Sequence, residues 1–422
     1  MAARGVRHFV AAVGFLAVAA YATIYARGWA DAPIRSDGYS YYLYLPSALI
    51  YHDLTLDAVA RDWYDGSYPP FAAIRRWPST GRWLDAVPIG VAAMMLPFFL
   101  VGDALTWWSN FPRDGFSFYY QQAAGLAGLT YALVGLALVR ALLRRYFRDG
   151  VVLATLVTLT FGTNLFHYAT FDATFSHAFS FCLVAAWVLL IERWRERPTA
   201  AASLGLGAIA AGIVLTRNVN AVFLLVLPFR CWRELWPRRR ALALAAIAGA
   251  ACLLPQAAMY RFITGSWWVN SYALLGNYFN FATPRIGSVL FSTQKGLFFW
   301  SPALLLAVAG AFLARRWPRS FVAATGVTFA LQLFIVASWS EWQLGGSFGH
   351  RAFTDGFALV APLFASTFDW AASRPRARAL IAAFAALAVL LSIAQMLQYW
   401  LGILPYANTT WSQYRTLFLR FR

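Results

Sequence analysis

In the stretch SDGYSYYLYLPS, Asp37 is followed by Gly38 and then by Tyr39, Tyr41, Tyr42 and Tyr44. A carboxylate placed to accept a hydroxyl proton is a general base. A glycine beside it lets the backbone turn tightly or approach a ligand. The tyrosine rings suit a membrane headgroup belt, the alternative reading of the stretch. Pro46 fits the first turn of a short helix from about Leu45 to Tyr51. A second stretch, SWSEWQLGGSFGHR, joins Trp339 and Trp342, flat faces for a sugar ring, to Glu341 and His350 as titratable groups. Gly345, Gly346 and Gly349 would let backbone N–H groups form an anion nest, and Arg351 is suited to hold a phosphate by two hydrogen bonds.

A third stretch, FHYATFDATFSHAFSF, carries His167, Asp172 and His177. These are zinc-ligand types, but a fourth ligand at a familiar spacing is missing. The expectation is therefore no metal and no cofactor, with His177 on the first turn of a helix facing a polar cavity. Arg217 with Asn218 and Asn220 forms another polar cluster, and Lys295, the only lysine, stands before GLFFWSP, where its ammonium could meet a lipid phosphate. Snorkelling of these cations to the interface is the plainer reading of both.

The rest of the chain must position these residues, and it is strongly apolar. It has 60% hydrophobic residues and 12% charged ones, whereas soluble domains carry about 25% charged. Apolar runs recur at a length of about 20 residues, enough to cross a ~30 Å hydrocarbon core as helix. The composition predicts an all-α polytopic membrane protein. The net charge of +18 does not point to nucleic acid, because the arginines fall in short clusters between apolar runs. Cys182, Cys231 and Cys252 lie within or at the ends of such runs and suggest no disulfide framework. The run His8–Ala26 reads as an uncleaved first helix rather than a signal peptide.

By the positive-inside rule, Arg4 and Arg7 put the N-terminus in the cytoplasm, and Arg144, Arg145 and Arg148 mark the next return. That leaves one crossing between them, near 116–143. The segment 86–108 carries Pro88, Pro97 and Asp103, and its uninterrupted part reaches only ~24 Å as helix. It is expected to lie on or dip into the outer leaflet. Further runs near 150–168, 174–191, 199–216, 219–230, 241–262, 297–314, 320–338, 355–371 and 379–402 then alternate. The expectation is about eleven transmembrane helices: a first helix within 1–26, a periplasmic loop at 27–115 with juxtamembrane helices, a bundle at 116–402 and an outer tail at 403–422. Nine of the 17 carboxylates fall in that first loop.

At these motifs the chain resembles the GT-C superfamily of membrane glycosyltransferases. Within it, it is similar to the glycosyltransferase family 39 group, which includes protein O-mannosyltransferases and the bacterial lipid A aminoarabinose transferase. SDGYSYYLYLPS occupies the acidic-loop position of that family, 86–108 that of its second juxtamembrane helix, and SHAFSF and GGSFGHR look like phrases of membrane proteins grouped with it. The resemblance implies inverting transfer of a sugar from a polyprenyl-phosphate carrier to a lipid, glycan or protein acceptor. The reaction would take place at the outer face of a bacterial inner membrane, with the C-terminus outside. It casts Asp37 as base and Arg351, Lys295 and Arg217 as donor-phosphate ligands. Trp339, Glu341, Trp342, His350, Tyr41, Asp53 and His177 become sugar or acceptor contacts, Asp53 in YHDL being the candidate second carboxylate. The alternative is a transporter or flippase of lipid or lipid-linked sugar, which would carry its polar residues and broken helices near the bilayer midplane.

Overall fold

The computed structural model describes residues 2–64 and 73–421; the stretch 65–72 of the first loop lies outside it. Among the described residues the elements are helices apart from one short hairpin. The chain runs α1 (Ala2–Ala26), α2 (Asp37–Tyr42), α3 (Tyr44–Leu49), α4 (Asp57–Tyr64), the antiparallel β1 (Ile74–Arg76) and β2 (Trp83–Asp85), α5 (Gly90–Trp107) and α6 (Phe118–Leu143). There follow α7 (Asp149–Phe161), α8 (Leu165–Thr170), α9 (Ser176–Glu196), α10 (Ala200–Thr216), α11 (Val226–Leu235) and α12 (Arg239–Thr264). The last group is α13 (Ile286–Phe291), α14 (Leu297–Trp300), α15 (Leu304–Leu313), α16 (Arg319–Ser338), α17 (Phe357–Ala372), α18 (Pro375–Trp400) and α19 (Trp411–Leu417).

Among the described residues, seven helices are long and apolar enough to cross a membrane: α5, α6, α9, α12, α16, α18 and the His8–Ala26 part of α1. The chain is a helical membrane protein. The helix α5, expected on or dipping into the outer leaflet, runs antiparallel along the first half of α6. Tyr131 donates to the Met94 carbonyl at 3.0 Å, and a side chain at Gly102 would touch Ala123 and the Tyr119 backbone.

Two glycines on α6 set the depth of the functional end. A Cβ at Gly128 would fall 1.7 Å from the Ala173 carbonyl oxygen, and one at Gly135 would strike Phe181. The turn between α8 and α9 is therefore pressed against the middle of α6. The start of α6 extends roughly 15 Å beyond it, at 1.5 Å per residue.

The segment after α10 solves a length problem visible in the sequence. Asn218–Leu225 is a 3₁₀ helix, which rises about 2.0 Å per residue rather than 1.5, and α11 continues it. The pair follows α9 from end to end: Asn220 donates to Ser180, Trp187 to the Phe223 carbonyl, and Arg230 and Glu234 pair with Glu192 and Arg195. Ten apolar residues, too few as α-helix, thus begin a segment as long as its neighbour. Other runs are interrupted at one level: α7 and α8 part at 162–164, α14 and α15 at 301–303, and the 3₁₀ turn Arg351–Gly356 precedes α17.

Two large apolar clusters bear on the site. The largest joins α6, α7, α9, α15, α16 and α17. A second lies beneath the first loop and includes Tyr39, Tyr41, Tyr42, Met95, Phe116 and Tyr120. The headgroup-belt reading of the tyrosines is thereby corrected. Tyr39, Tyr41 and Tyr42 are buried, and Tyr39 stacks on Phe116 with ring centroids 5.6 Å apart. The expected short helix is present as α3, with Pro46 in its first turn.

Candidate functional site

Asp37 begins α2 immediately after Ser36, a non-glycine residue at φ 48°. Gly38 is required here by close approach, since a Cβ would sit 2.1 Å from Thr174 Oγ1. That contact, together with Thr174 Oγ1 donating to the Pro33 carbonyl at 2.7 Å, presses the first loop onto the α8–α9 turn. Asp37 Oδ2 thereby comes within 2.6 Å of Arg351 Nη1, the carboxylate 38% exposed and the guanidinium 12%. The proposed base and the proposed phosphate ligand are direct partners. Arg351 also lies over the Phe175 ring, 5.4 Å from its centroid.

Beneath this pair is a fully buried carboxylate that the sequence reading passed over. Asp355 accepts from His177 Nδ1 at 2.6 Å, from Arg217 Nη1 at 3.2 Å and from Asn220 Nδ2 at 2.9 Å. His177 thus faces a polar interior, as expected, but its ring serves Asp355 rather than a ligand. Arg217 is committed to the same carboxylate, with its guanidinium 16% exposed. The two arginines feel each other's charge, and Tyr41, buried beside Ser176, lies in the field of Asp37, Arg217 and Arg351.

A third centre is Asp172, named in the sequence beside His167 but not with its Arg35 partner. Its carboxylate accepts from Arg35 at 2.8 Å and from His167 Nε2 at 2.9 Å, while Trp400 donates to His167 Nδ1 at 2.9 Å. Against the raising effect of burial, His167, Arg35 and Arg351 hold the Asp172 carboxyl down at about 2. His167 and His177 are therefore tied to different carboxylates. Among the described residues no three His, Cys, Asp or Glu side chains gather as a metal site.

Lys295 does not reach a phosphate. It is 2% exposed, and its Nζ donates to the carbonyls of Ser347 and Tyr406, the latter at 2.7 Å. With Ser347 N donating to the Tyr406 carbonyl at 3.1 Å, it clasps the GGSFGH loop to the segment after α18. Burial first and Arg351 second, opposed by Asp172, pull the Lys295 ammonium down from 10.5 to about 7. Below about 7 folded and unfolded chains both carry this proton, and the full cost of burying the charge stands. Between about 7 and 10.5 the folded chain sheds the proton first, so stability rises with pH. The melting midpoint in detergent should climb between pH 7 and 9, and Lys295→Met should flatten the climb. Equal slopes in the two proteins would refute this role.

His350 follows Gly349, which has a φ of +61° and where a Cβ would fall 3.2 Å from Trp300 Cβ. Burial and the cations Lys295, Arg217 and Arg351 push its imidazole down to about 3. Among the described residues neither His350 ring nitrogen has a hydrogen-bond partner, although the side chain is buried. An unpaired buried polar group costs about 1–3 kcal/mol.

The remaining candidates divide. Trp339 is half-buried against Phe279 and Tyr272, ring centroids 4.5 and 5.8 Å away, and Tyr272 lies in the field of Asp37 and Arg217. Glu341 is exposed. Trp342 is buried in the largest apolar cluster, so its face is not open to a sugar. Asp53 is not a second site carboxylate. It accepts from the Thr55 and Ala58 amides at 2.7 and 2.9 Å, an N-terminal cap for α4. The second carboxyl in the field of Asp37 is Asp85, at the end of β2. It is completely buried, its Oδ1 accepts from Val87 N at 3.0 Å, and its Oδ2 has no partner. Burial chiefly, and Asp37 in addition, push the Asp85 carboxyl well above the usual range.

Arg217, Arg351 and His350 can together receive an anion or a hydroxylated ligand, while Asp37 alone among the three ion-paired carboxylates is substantially open. No family model matches the chain, and neither a curated protein nor a solved structure matches it.

Proposed function

We propose that the chain is an inverting glycosyltransferase of the GT-C type, moving one sugar from a polyprenyl-phosphate carrier to an acceptor hydroxyl. The observation that carries this reading is the 2.6 Å contact between the exposed Asp37 carboxylate and Arg351. It sets a proton acceptor and a phosphate-binding cation on one spot, at a burial where electrostatic interactions are strong.

In the reaction Asp37 takes the proton of the acceptor hydroxyl as its oxygen attacks the anomeric carbon from the side opposite the phosphate. The bond from that carbon to the phosphate oxygen breaks, and its electron pair leaves on the phosphate. The products are the glycosylated acceptor and polyprenyl phosphate. Arg351 uses one nitrogen on Asp37, and a guanidinium has five N–H donors, so its other edge serves the leaving phosphate. Arg217, anchored by Asp355, adds charge from below. The unpaired His350 nitrogens suit a sugar hydroxyl.

This reading carries with it the eleven-crossing topology, the site facing the periplasm of a bacterial inner membrane, the N-terminus in the cytoplasm and the C-terminus outside. The second reading, a transporter of lipid-linked sugar, is favoured by one observation. The buried ion pairs lie level with the middle of α6, among helices interrupted at 162–164, 301–303 and 351–356.

Purified protein in nanodiscs, given radiolabelled polyprenyl-phosphate sugars and candidate acceptors, should move label from carrier to acceptor. Movement of intact carrier between leaflets, with no label leaving it, would overturn the transferase in favour of the transporter.

A further inference from the structure

Away from the ion pairs, α15, α16 and α17 enclose an apolar groove of about 330 Å³. At the arginine-rich end of the bundle it meets a wider opening of about 690 Å³, bordered by Arg315, Trp317 and Arg319. Ala311, Phe312 and Val322 line both, so the two are continuous. From Val322 to Leu333 along α16 the groove is roughly 16 Å long, about the hydrocarbon depth of one leaflet, half of ~30 Å. Gly326 lines it, and a Cβ built there meets nothing within 4 Å, so the groove is open at its middle.

The mouth is chemically distinct from the groove. Arg316 is engaged by Asp369 at 2.7 Å, whereas Arg315 and Arg319 are exposed and, among the described residues, form no ion pair with a carboxylate. Trp317 is 2% exposed, and its indole N–H has no acceptor. An unsatisfied buried donor beside two unpaired cations is a site lacking its anion. The apolar slot below it lacks a chain.

We infer that this cavity binds one anionic phospholipid, with its phosphate on Arg315 and Arg319, the Trp317 N–H as a further donor, and one acyl chain in the groove beside Gly326. Charge complementarity selects the occupant, because a zwitterionic lipid brings its own cation beside the two arginines and an apolar helix brings no anion at all. The inference does not depend on the reaction proposed for Asp37.

The full-length protein would be reconstituted in nanodiscs of equal phosphatidylglycerol and phosphatidylcholine, released, and examined by native mass spectrometry. Wild type should retain one phosphatidylglycerol. The double variant Arg315→Ala/Arg319→Ala should bind it about 30-fold more weakly, two surface cations' worth. Gly326→Leu, which fills the groove without a clash, should also lose it, and Arg316→Ala should keep it. Equal retention of phosphatidylcholine, or undiminished phosphatidylglycerol on the double arginine variant, would overturn the inference. So would release of a second copy of the chain, rather than lipid, on Gly326→Leu.

Discussion

On the proposed reaction, Asp37→Asn should lower the transfer rate by about 10²- to 10⁴-fold, the usual worth of a positioned general base. The loss falls on kcat, because the amide keeps the shape of the carboxylate but cannot accept the proton in the transition state. The fold should tolerate the change. The first loop is pressed onto the α8–α9 turn by Gly38 against Thr174 and by Arg35 on Asp172, neither of which involves the Asp37 side chain. Arg351 loses a partner, but it is partly exposed and retains the Phe175 ring. Asp53→Asn is the matched control, since that carboxylate caps α4 and should leave the rate unchanged. The measurement is single-turnover transfer of labelled sugar at saturating carrier, with the melting midpoint read on the same preparation. An Asp37→Asn protein that transfers at the wild-type rate removes Asp37 from the chemistry.

The apolar periodicity announced α1, α6, α9, α12, α16 and α18, because lipid demands long runs of apolar helix and such runs are written continuously in the chain. Residue type alone also drew attention to Asp37 and Arg351, which the fold then pairs. The rest was not written locally. Asp355 stands in AFTDGFALV, where it reads as the polar first residue of an apolar run. Only the approach of His177, Arg217 and Asn220 from separate elements makes it the centre of a buried network. Asp172 was visible in the sequence beside His167, but its pairing with Arg35 was not, because Arg35 comes from the first loop. Trp342 shows the opposite error. A tryptophan in a glycine-rich loop suggests an open platform, but burying an aromatic ring of 150–250 Å² is also what closes a loop onto a bundle, and here the loop is closed. Lys295 was read as a phosphate ligand from its place just before an apolar run, with snorkelling to the interface as the plainer reading. Backbone carbonyls from two loops instead met it inside. The short apolar run at 219–230 was measured with an α-helical ruler, and a 3₁₀ turn stretches it.

The second large effect is on stability. Asp355→Ala should cost about 3–5 kcal/mol, the range for removing one partner of a buried ion pair, and should lower the melting midpoint in detergent sharply. The carboxylate is fully buried and accepts from three groups. Its removal leaves the Arg217 charge uncompensated and strands the His177 and Asn220 donors. Asp355→Asn, which keeps an acceptor but loses the charge, should fall between. Removing the cation as well, in Asp355→Ala/Arg217→Leu, should recover part of the loss, because an absent pair costs less than a broken one. Stability and chemistry then separate into two signatures. Asp37→Asn keeps the midpoint and loses the rate, whereas Asp355→Ala loses the midpoint and, with Arg217 unanchored beneath Arg351, the rate as well. A wild-type midpoint for Asp355→Ala would mean that the network does not hold the helices together at this level. Arg217 would then owe its position to α10 and the 3₁₀ turn that follows it.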